Sequence, residues 1–168
     1  MRERRIIVYG VPGSGKTALA RKLAKQLRLP HIEADAFRSI AQKGKILPKH
    51  PFYFLATTEA YQAIGRRTKK NIITGLLNVR KALDPTIAKQ IKKHKKGFVL
   101  EAAFLDPKRF IKTSKLIFLA PPIQEHKRQF FIHRKKDAFH KMQFQNTRII
   151  QEFLKKEAKE LKIPIFKS

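Results

Sequence analysis

Gly10-Val11-Pro12-Gly13-Ser14-Gly15-Lys16-Thr17 sets two glycines around four residues and closes on Lys-Thr. The apolar run Ile6-Ile7-Val8-Tyr9 before it reads as a buried strand, and Ala18 to Leu29 after it reads as a helix. Glycines let the backbone wrap closely around an anion with successive N–H groups turned inward. The helix that follows adds the positive end of its dipole. Between a strand and a helix the pattern is a phosphate-binding loop, in which Lys16 reaches the β- and γ-phosphates and the Thr17 hydroxyl holds Mg²⁺. Gly10, Pro12, Gly13, Ser14, Gly15, Lys16, Thr17 and Ala18 are the expected nucleotide contacts. ATP and Mg²⁺ are the expected cofactors.

Outward from the loop, strand and helix alternate. Strands are expected near 5–9, 30–33, 97–101, 115–120 and 162–166. Helices are expected near 15–28, 35–43, 52–65, 69–81, 84–95, 107–112, 122–136 and 142–161. Asp84-Pro85 reads as an N-cap followed by proline at the first helical position. Gly97 reads as a C-cap, and Pro121-Pro122 as a break after a strand. Apolar strand runs without clean alternation predict a parallel sheet covered on both faces. The expected fold is therefore a three-layer α/β domain spanning residues 1–168, with a five-stranded parallel sheet. A helical insertion over about 41–96 is placed to read the acceptor, and a short lid is expected at about 134–141.

Composition narrows the partners. Lys and Arg number 39 against 12 Asp and Glu, a net charge of +27, which attracts anions over long range. The basic pairs Arg66-Arg67, Lys69-Lys70, Lys92-Lys93, Lys95-Lys96, Lys135-Lys136 and Lys155-Lys156 are scattered along the chain. Nucleic acid is one candidate partner for that charge; a solvated basic surface is the plainer alternative. No cysteine is present, so disulfides and thiolate metal sites are excluded. No apolar run of membrane length and no signal-peptide pattern appear, so the cytoplasm is the expected location and no membrane partner is expected. The sequence leaves the oligomeric state open.

With so few acids, each carries information. Asp35 follows a short strand, and Arg38 lies one helical turn later on the same face. Asp35 can accept the proton of an acceptor hydroxyl or bind a Mg²⁺ water, and Arg38 can hold an anionic acceptor group; an N-cap and a surface arginine are the bland alternative. Glu101 ends the run Phe98-Val99-Leu100, at a strand end where open α/β sheets place their ligand crevice. It can complete a Mg²⁺ shell, contact the acceptor, or simply pair with a lysine. Thr17, Asp35 and Glu101 are thus the expected metal-side residues. Arg128 and Arg134 follow the fourth strand and can neutralise charge on a transferring phosphoryl group. His31, His50, His94, His126, His133 and His140 show no metal-ligand spacing.

Taken together, these segments resemble a small P-loop kinase of the nucleoside-monophosphate-kinase type, and more narrowly the 2-phosphoglycerate kinase family. The likeness rests on the loop and Asp35-Ala36-Phe37-Arg38, on Thr57-Thr58-Glu59-Ala60-Tyr61, and on Phe98 to Pro107. It extends to Glu125-His126 with Arg128 and Phe130, to Arg148-Ile149-Ile150-Gln151-Glu152-Phe153-Leu154, and to Ile163-Pro164-Ile165. Ala102 and Phe104 depart from that family's Gly and His, and Phe54-Leu55 stand in place of its Leu-His. The resemblance implies ATP- and Mg²⁺-dependent phosphorylation of a small phosphorylated hydroxy acid, with Lys16, Asp35, Arg38, Glu101, Arg128 and Arg134 as catalytic residues. A nucleoside-monophosphate kinase and an RNA- or ribosome-associated nucleotide-binding protein are the alternatives.

Overall fold

A computed structural model describes residues 4–167. The charged start Met1 to Glu3 and Ser168 lie outside the described residues. Five strands form one sheet: β1 (Arg5–Tyr9), β2 (His31–Glu33), β3 (Phe98–Ala102), β4 (Lys115–Leu119) and β5 (Ile165–Phe166). Their order is β2-β3-β1-β4-β5, and every pairing is parallel. Ile7, Val8, Phe98, Val99, Leu100 and Phe118 are wholly buried. The sheet is covered on both faces, as the unbroken apolar runs predict.

The helices are α1 (Lys16–Leu27), α2 (Arg38–Ala41), α3 (Lys69–Ile91), α4 (Pro107–Phe110), α5 (Ile123–Phe130) and α6 (Ala138–Glu160). One apolar cluster joins α3 and α6 to one face of the sheet, with Leu76, Val79, Leu83, Ile150 and Leu154 at its centre. A smaller cluster on the other face packs Ala20 and Ala24 of α1 against Val8, Val99 and Ile117. Helices on both sides of a parallel sheet make the three expected layers.

Four expectations need correction. The helix expected at 122–136 is α5, which stops at Phe130, so 131–137 are irregular. The helices expected at 69–81 and 84–95 are one helix, α3, which runs through Pro85. Pro85 shares an exposed stripe with Leu77, Lys81 and Lys89. The carbonyl it leaves without a donor, that of Lys81, therefore belongs to the solvent side, where water replaces the lost bond. The helix expected at 52–65 is instead two 3₁₀ turns, Pro51–Tyr53 and Ala60–Ala63. Side chains from α2 and the following turn take up its carbonyls: Arg38 Nη1 donates to Tyr53 O at 3.2 Å and Leu55 O at 3.3 Å, and Gln42 Nε2 to Tyr53 O at 3.0 Å. The helix expected at 142–161 begins earlier. Asp137 caps it by accepting the N–H of His140 at 2.8 Å, so 138–141 form its first turn.

Candidate active site

Tyr9 ends β1 and Lys16 starts α1, so Gly10 to Gly15 cross from sheet to helix at the carboxyl ends of the strands. Gly13 and Gly15 have φ of 76° and 86°, conformations that side chains with a Cβ rarely adopt. A Cβ on Gly13 would also lie 2.8 Å from Phe130 Cα, so α5 fixes how close the loop approaches it. Gly15 is the N-cap of α1 and offers no side-chain cap, and no acid stands in the first turn. The first N–H groups of α1 are left for an outside acceptor. Ser14 Oγ is fully buried and has no partner among the described residues.

His126 supports the loop from behind. Its ring is wholly buried and packs against Phe130 and Phe144. Nε2 donates to Pro12 O at 2.9 Å, while Arg148 Nη1 donates to Nδ1 at 3.3 Å. A guanidinium only donates, so His126 is the neutral Nε2–H tautomer. Burial pushes its pKa down, and the charges of Arg148, Arg134 and Lys16 push the same way. The motif likeness included His126 without giving it a role; its role is structural, since it pins the loop's carbonyl.

Thr17 and Glu101 meet across β1 and β3. Thr17 Oγ1 donates to Glu101 Oε2 at 2.5 Å, although 84 positions separate them. The β1–β3 register, Val8 beside Glu101, creates this contact. Glu101 is only 5 % exposed. Its other oxygen, Oε1, accepts from His31 Nε2 at 2.9 Å. His31 was not legible as a site residue, because its partner is 70 positions away and arrives through β2–β3 pairing. One ligating atom each from His31, Glu33 and Glu101 lies within 4.8 Å of the others.

Lys16, Thr17, Glu33, Asp35, Glu101 and Ala102 line one recess of about 110 Å³. Desolvation pushes the Lys16 amine down from its ordinary pKa, and the carboxylates of Glu101, Asp35 and Glu33 pull it back up. Asp35 stands at the open mouth, its side chain 71 % exposed. Arg38 Nε is 3.5 Å from Asp35 Oδ1, but its Nη1 is taken by the Tyr53 and Leu55 carbonyls, and its guanidinium lies over the Phe104 ring. It is committed to holding the insertion against the recess. Arg134 donates to Phe130 O at 2.9 Å and stacks 4.2 Å over the Phe130 ring, close enough for its charge to depress Lys16. Arg128 is not brought to the recess. It pairs with Glu125 at 2.6 Å, is 67 % exposed, and faces a groove between α5 and α6. On the other flank of the loop, Gly15, Ala18, Leu119, Gln129 and Phe166 line a more apolar recess of about 310 Å³.

The donor set suits a magnesium-bound triphosphate. Left-handed glycines and an uncapped helix start offer N–H groups to an anion, Ser14 Oγ is unpartnered within the loop, and beside them lie an amine and a Thr–Glu oxygen pair.

This loop, on a parallel sheet with these layers, defines a P-loop protein of kinase-type α/β fold. A family model described as "AAA domain" matches residues 9–120, and the chain belongs to that family. No curated protein matches the sequence. Among solved structures it is similar to shikimate kinase from Bacteroides thetaiotaomicron, at 18 % identity over 96 % of this chain and 84 % of that one, with a TM-score of 0.57. Shikimate kinase from Acinetobacter baumannii in complex with shikimate aligns at 15 % identity, 92 % and 79 % coverage, and a TM-score of 0.55. Deoxyadenosine kinase from M. mycoides with bound dATP aligns at 12 % identity, 96 % and 89 % coverage, and a TM-score of 0.51. At these identities the likeness is one of fold. Among the described residues no helix is long and apolar enough to cross a membrane.

Proposed function

We propose that the protein transfers the γ-phosphoryl group of ATP to a hydroxyl of a small anionic acceptor. The observation that carries this reading is the convergence of Lys16, Thr17, Glu101 and Asp35 on one recess at the open start of α1. Phosphoryl transfer asks a protein mostly for positioning and charge neutralisation, and these residues supply both. The N–H groups of the loop and Lys16 hold the β- and γ-phosphates. Thr17 and Glu101 are the residues that would hold Mg²⁺, directly or through water. When bound, that ion neutralises phosphate charge and orients the donor. Asp35, exposed at the mouth, accepts the proton of the acceptor hydroxyl as the new P–O bond forms and the bond to ADP breaks. Arg134 stands beside Lys16 to offset charge on the transferring group. Arg38 acts by fixing the insertion, and with it the acceptor's seat. The flanking apolar recess gives the nucleotide base a place outside the reacting centre.

For the acceptor we propose a phosphorylated hydroxy acid of the 2-phosphoglycerate kind, on the strength of the motif likeness and of the cations at the recess. An acceptor screen with Mg²⁺ and ATP tests this: 2-phosphoglycerate, other phosphorylated acids, shikimate, gluconate and nucleoside monophosphates, read by coupled ADP release and product phosphorus spectra. Saturable transfer to an anionic hydroxy acid supports the reading. Transfer confined to nucleoside monophosphates would replace it with a nucleotide kinase.

A further inference from the structure

The proposed reaction employs few of the 39 basic residues. Scattered in sequence, many of the others are gathered by the fold. All five strands are parallel and the helices between them run back, so strand starts and helix ends meet at one pole, opposite the phosphate loop. The turn from α3 to β3 carries Lys92, Lys93, Lys95 and Lys96, four lysines in five residues. Gly97, at φ 111°, presses this turn onto the start of β1, where a Cβ would lie 2.3 Å from Arg4 O. Parallel register sets Arg5 beside Phe98 and Ile6 beside Lys115. At one flank, α6 ends and Lys162 leads into β5; at the other, α1 ends with Lys25 and Arg28. These lysines and Arg28 are exposed.

Carboxylates collect at the other end of the molecule. Glu33, Asp35 and Glu101 lie at strand ends, while Asp137 caps the start of α6. Toward the basic pole, the described carboxylates are Glu160, Glu157, Asp84 and Asp106; Arg80 holds Glu157 at 2.7 Å, and Asp84 accepts the Asp106 N–H at 2.7 Å. Lys92, Lys93, Lys95, Lys96, Lys115 and Lys162 enter no ion pair with a described carboxylate. One cation at a helix end complements the dipole. Four in a single turn exceed that need and repel one another until an anion arrives.

We propose that this pole is a sequence-independent binding surface for the phosphate backbone of double-stranded nucleic acid, separate from the phosphate loop. Five strands span roughly 20 Å, enough to face on the order of ten duplex phosphates. Lysine is a hydrated point charge suited to backbone phosphate more than to base edges. A membrane surface fits less well, because Leu27 is the one large exposed apolar side chain at this pole among the described residues, and peripheral anchoring uses several.

The test is fluorescence anisotropy with labelled RNA and DNA duplexes of about 20 base pairs, titrated from roughly 50 to 200 mM salt, with and without Mg·ATP. A parallel arm uses vesicles of anionic phosphatidylglycerol. We expect log affinity to fall with log salt at a slope of about −4 or steeper, with no displacement by Mg·ATP. The triple variant Lys93→Glu, Lys95→Glu, Lys96→Glu should bind at least about tenfold more weakly and show a flatter slope. Reversing three cations at the far end of α3 (Arg66→Glu, Lys69→Glu, Lys70→Glu) should cost less than about threefold. Equal losses from both triples, displacement by Mg·ATP, or binding to vesicles but not duplexes would overturn the proposal. Should the pole triple unfold, Lys16→Ala protein provides the check: it must bind duplex like wild type. Phosphoryl transfer is read separately, so each claim can fail alone.

Discussion

In the proposed reaction Lys16 and Asp35 carry opposite duties within one recess, and their variants should separate accordingly. Lys16→Ala should reduce turnover by on the order of 10³, because a preorganised cation is lost from a desolvated site. Its thermal midpoint should stay near wild type, since the amine makes no hydrogen bond that holds an element together. Wild-type-like turnover in that variant would refute the assignment. Asp35→Asn should lower kcat by about a hundredfold or more while leaving ATP affinity nearly intact, because the proposal assigns this exposed carboxylate to the acceptor. A loss confined to ATP binding would show the residue to be on the donor side. A third residue reports on stability. Asp84 is 1 % exposed, accepts the Asp106 N–H at 2.7 Å through Oδ2, and leaves Oδ1 unpartnered. Burial pushes its pKa up to about 7. The folded chain then holds a proton that the unfolded chain has already lost, so stability falls as pH rises from about 4 to about 7, by on the order of 4 kcal/mol. Asp84→Asn should flatten that slope in urea titrations at pH 5 and pH 8. An unchanged slope would mean that Asp84 is ionised in the fold.

At the scale of elements, α3 and α6 are joined by one polar clamp inside an apolar layer. Arg80 is 4 % exposed and donates to both oxygens of Glu157, at 2.8 and 2.7 Å, and to Phe104 O at 2.7 Å. Glu157→Ala should destabilise the fold by about 3 kcal/mol or more, because it strands a buried guanidinium; chemical denaturation reads this directly. What the sequence revealed also divides by element. The strand–loop–helix from Arg5 to Leu27 was legible because its signals are local: an apolar run, then glycines, then helical spacing. The placing of Lys16 and Thr17 at the start of α1 and of Glu101 at the end of β3 was legible with it. The break at Asp84-Pro85 was misread because the burial that keeps α3 continuous is tertiary. The stretch 52–65 was misread because Arg38 and Gln42 take carbonyls that a helix would have used itself. Arg38 looked free for an acceptor for the same reason. The contacts of His31 and His126 were not legible because each finds its partner across the sheet or behind the loop, 70 and 114 positions away. Arg128 illustrates the reverse error: position after β4 suggested a catalytic role, but it shares the outer side of α5 with its i,i+3 partner Glu125.

Across the whole molecule, parallel order gives two unlike poles. β1 lies between β3 and β4, so the loop that follows it opens at the centre of the crevice, beside Glu101 of one neighbour and the α5 that follows the other. This is where a doubly covered parallel sheet places ligands. The acids cluster there, and the lysine turns lie at the opposite end. Fold class and sheet content were therefore readable from alternating segments, whereas the gathering of lysines at the strand starts was not. It emerges only when helices run back and bring distant turns together.

The most direct test is phosphorus NMR of the purified protein with Mg·ATP and a panel of small anionic hydroxy acids, run beside Lys16→Ala. We expect the γ-phosphate resonance to decay as a phosphomonoester and ADP appear together for at least one acceptor, with the variant on the order of 10³ slower. No phosphoester with any acceptor, together with no shift of the ATP resonances on adding protein, would contradict a phosphate-gripping, phosphoryl-donating loop.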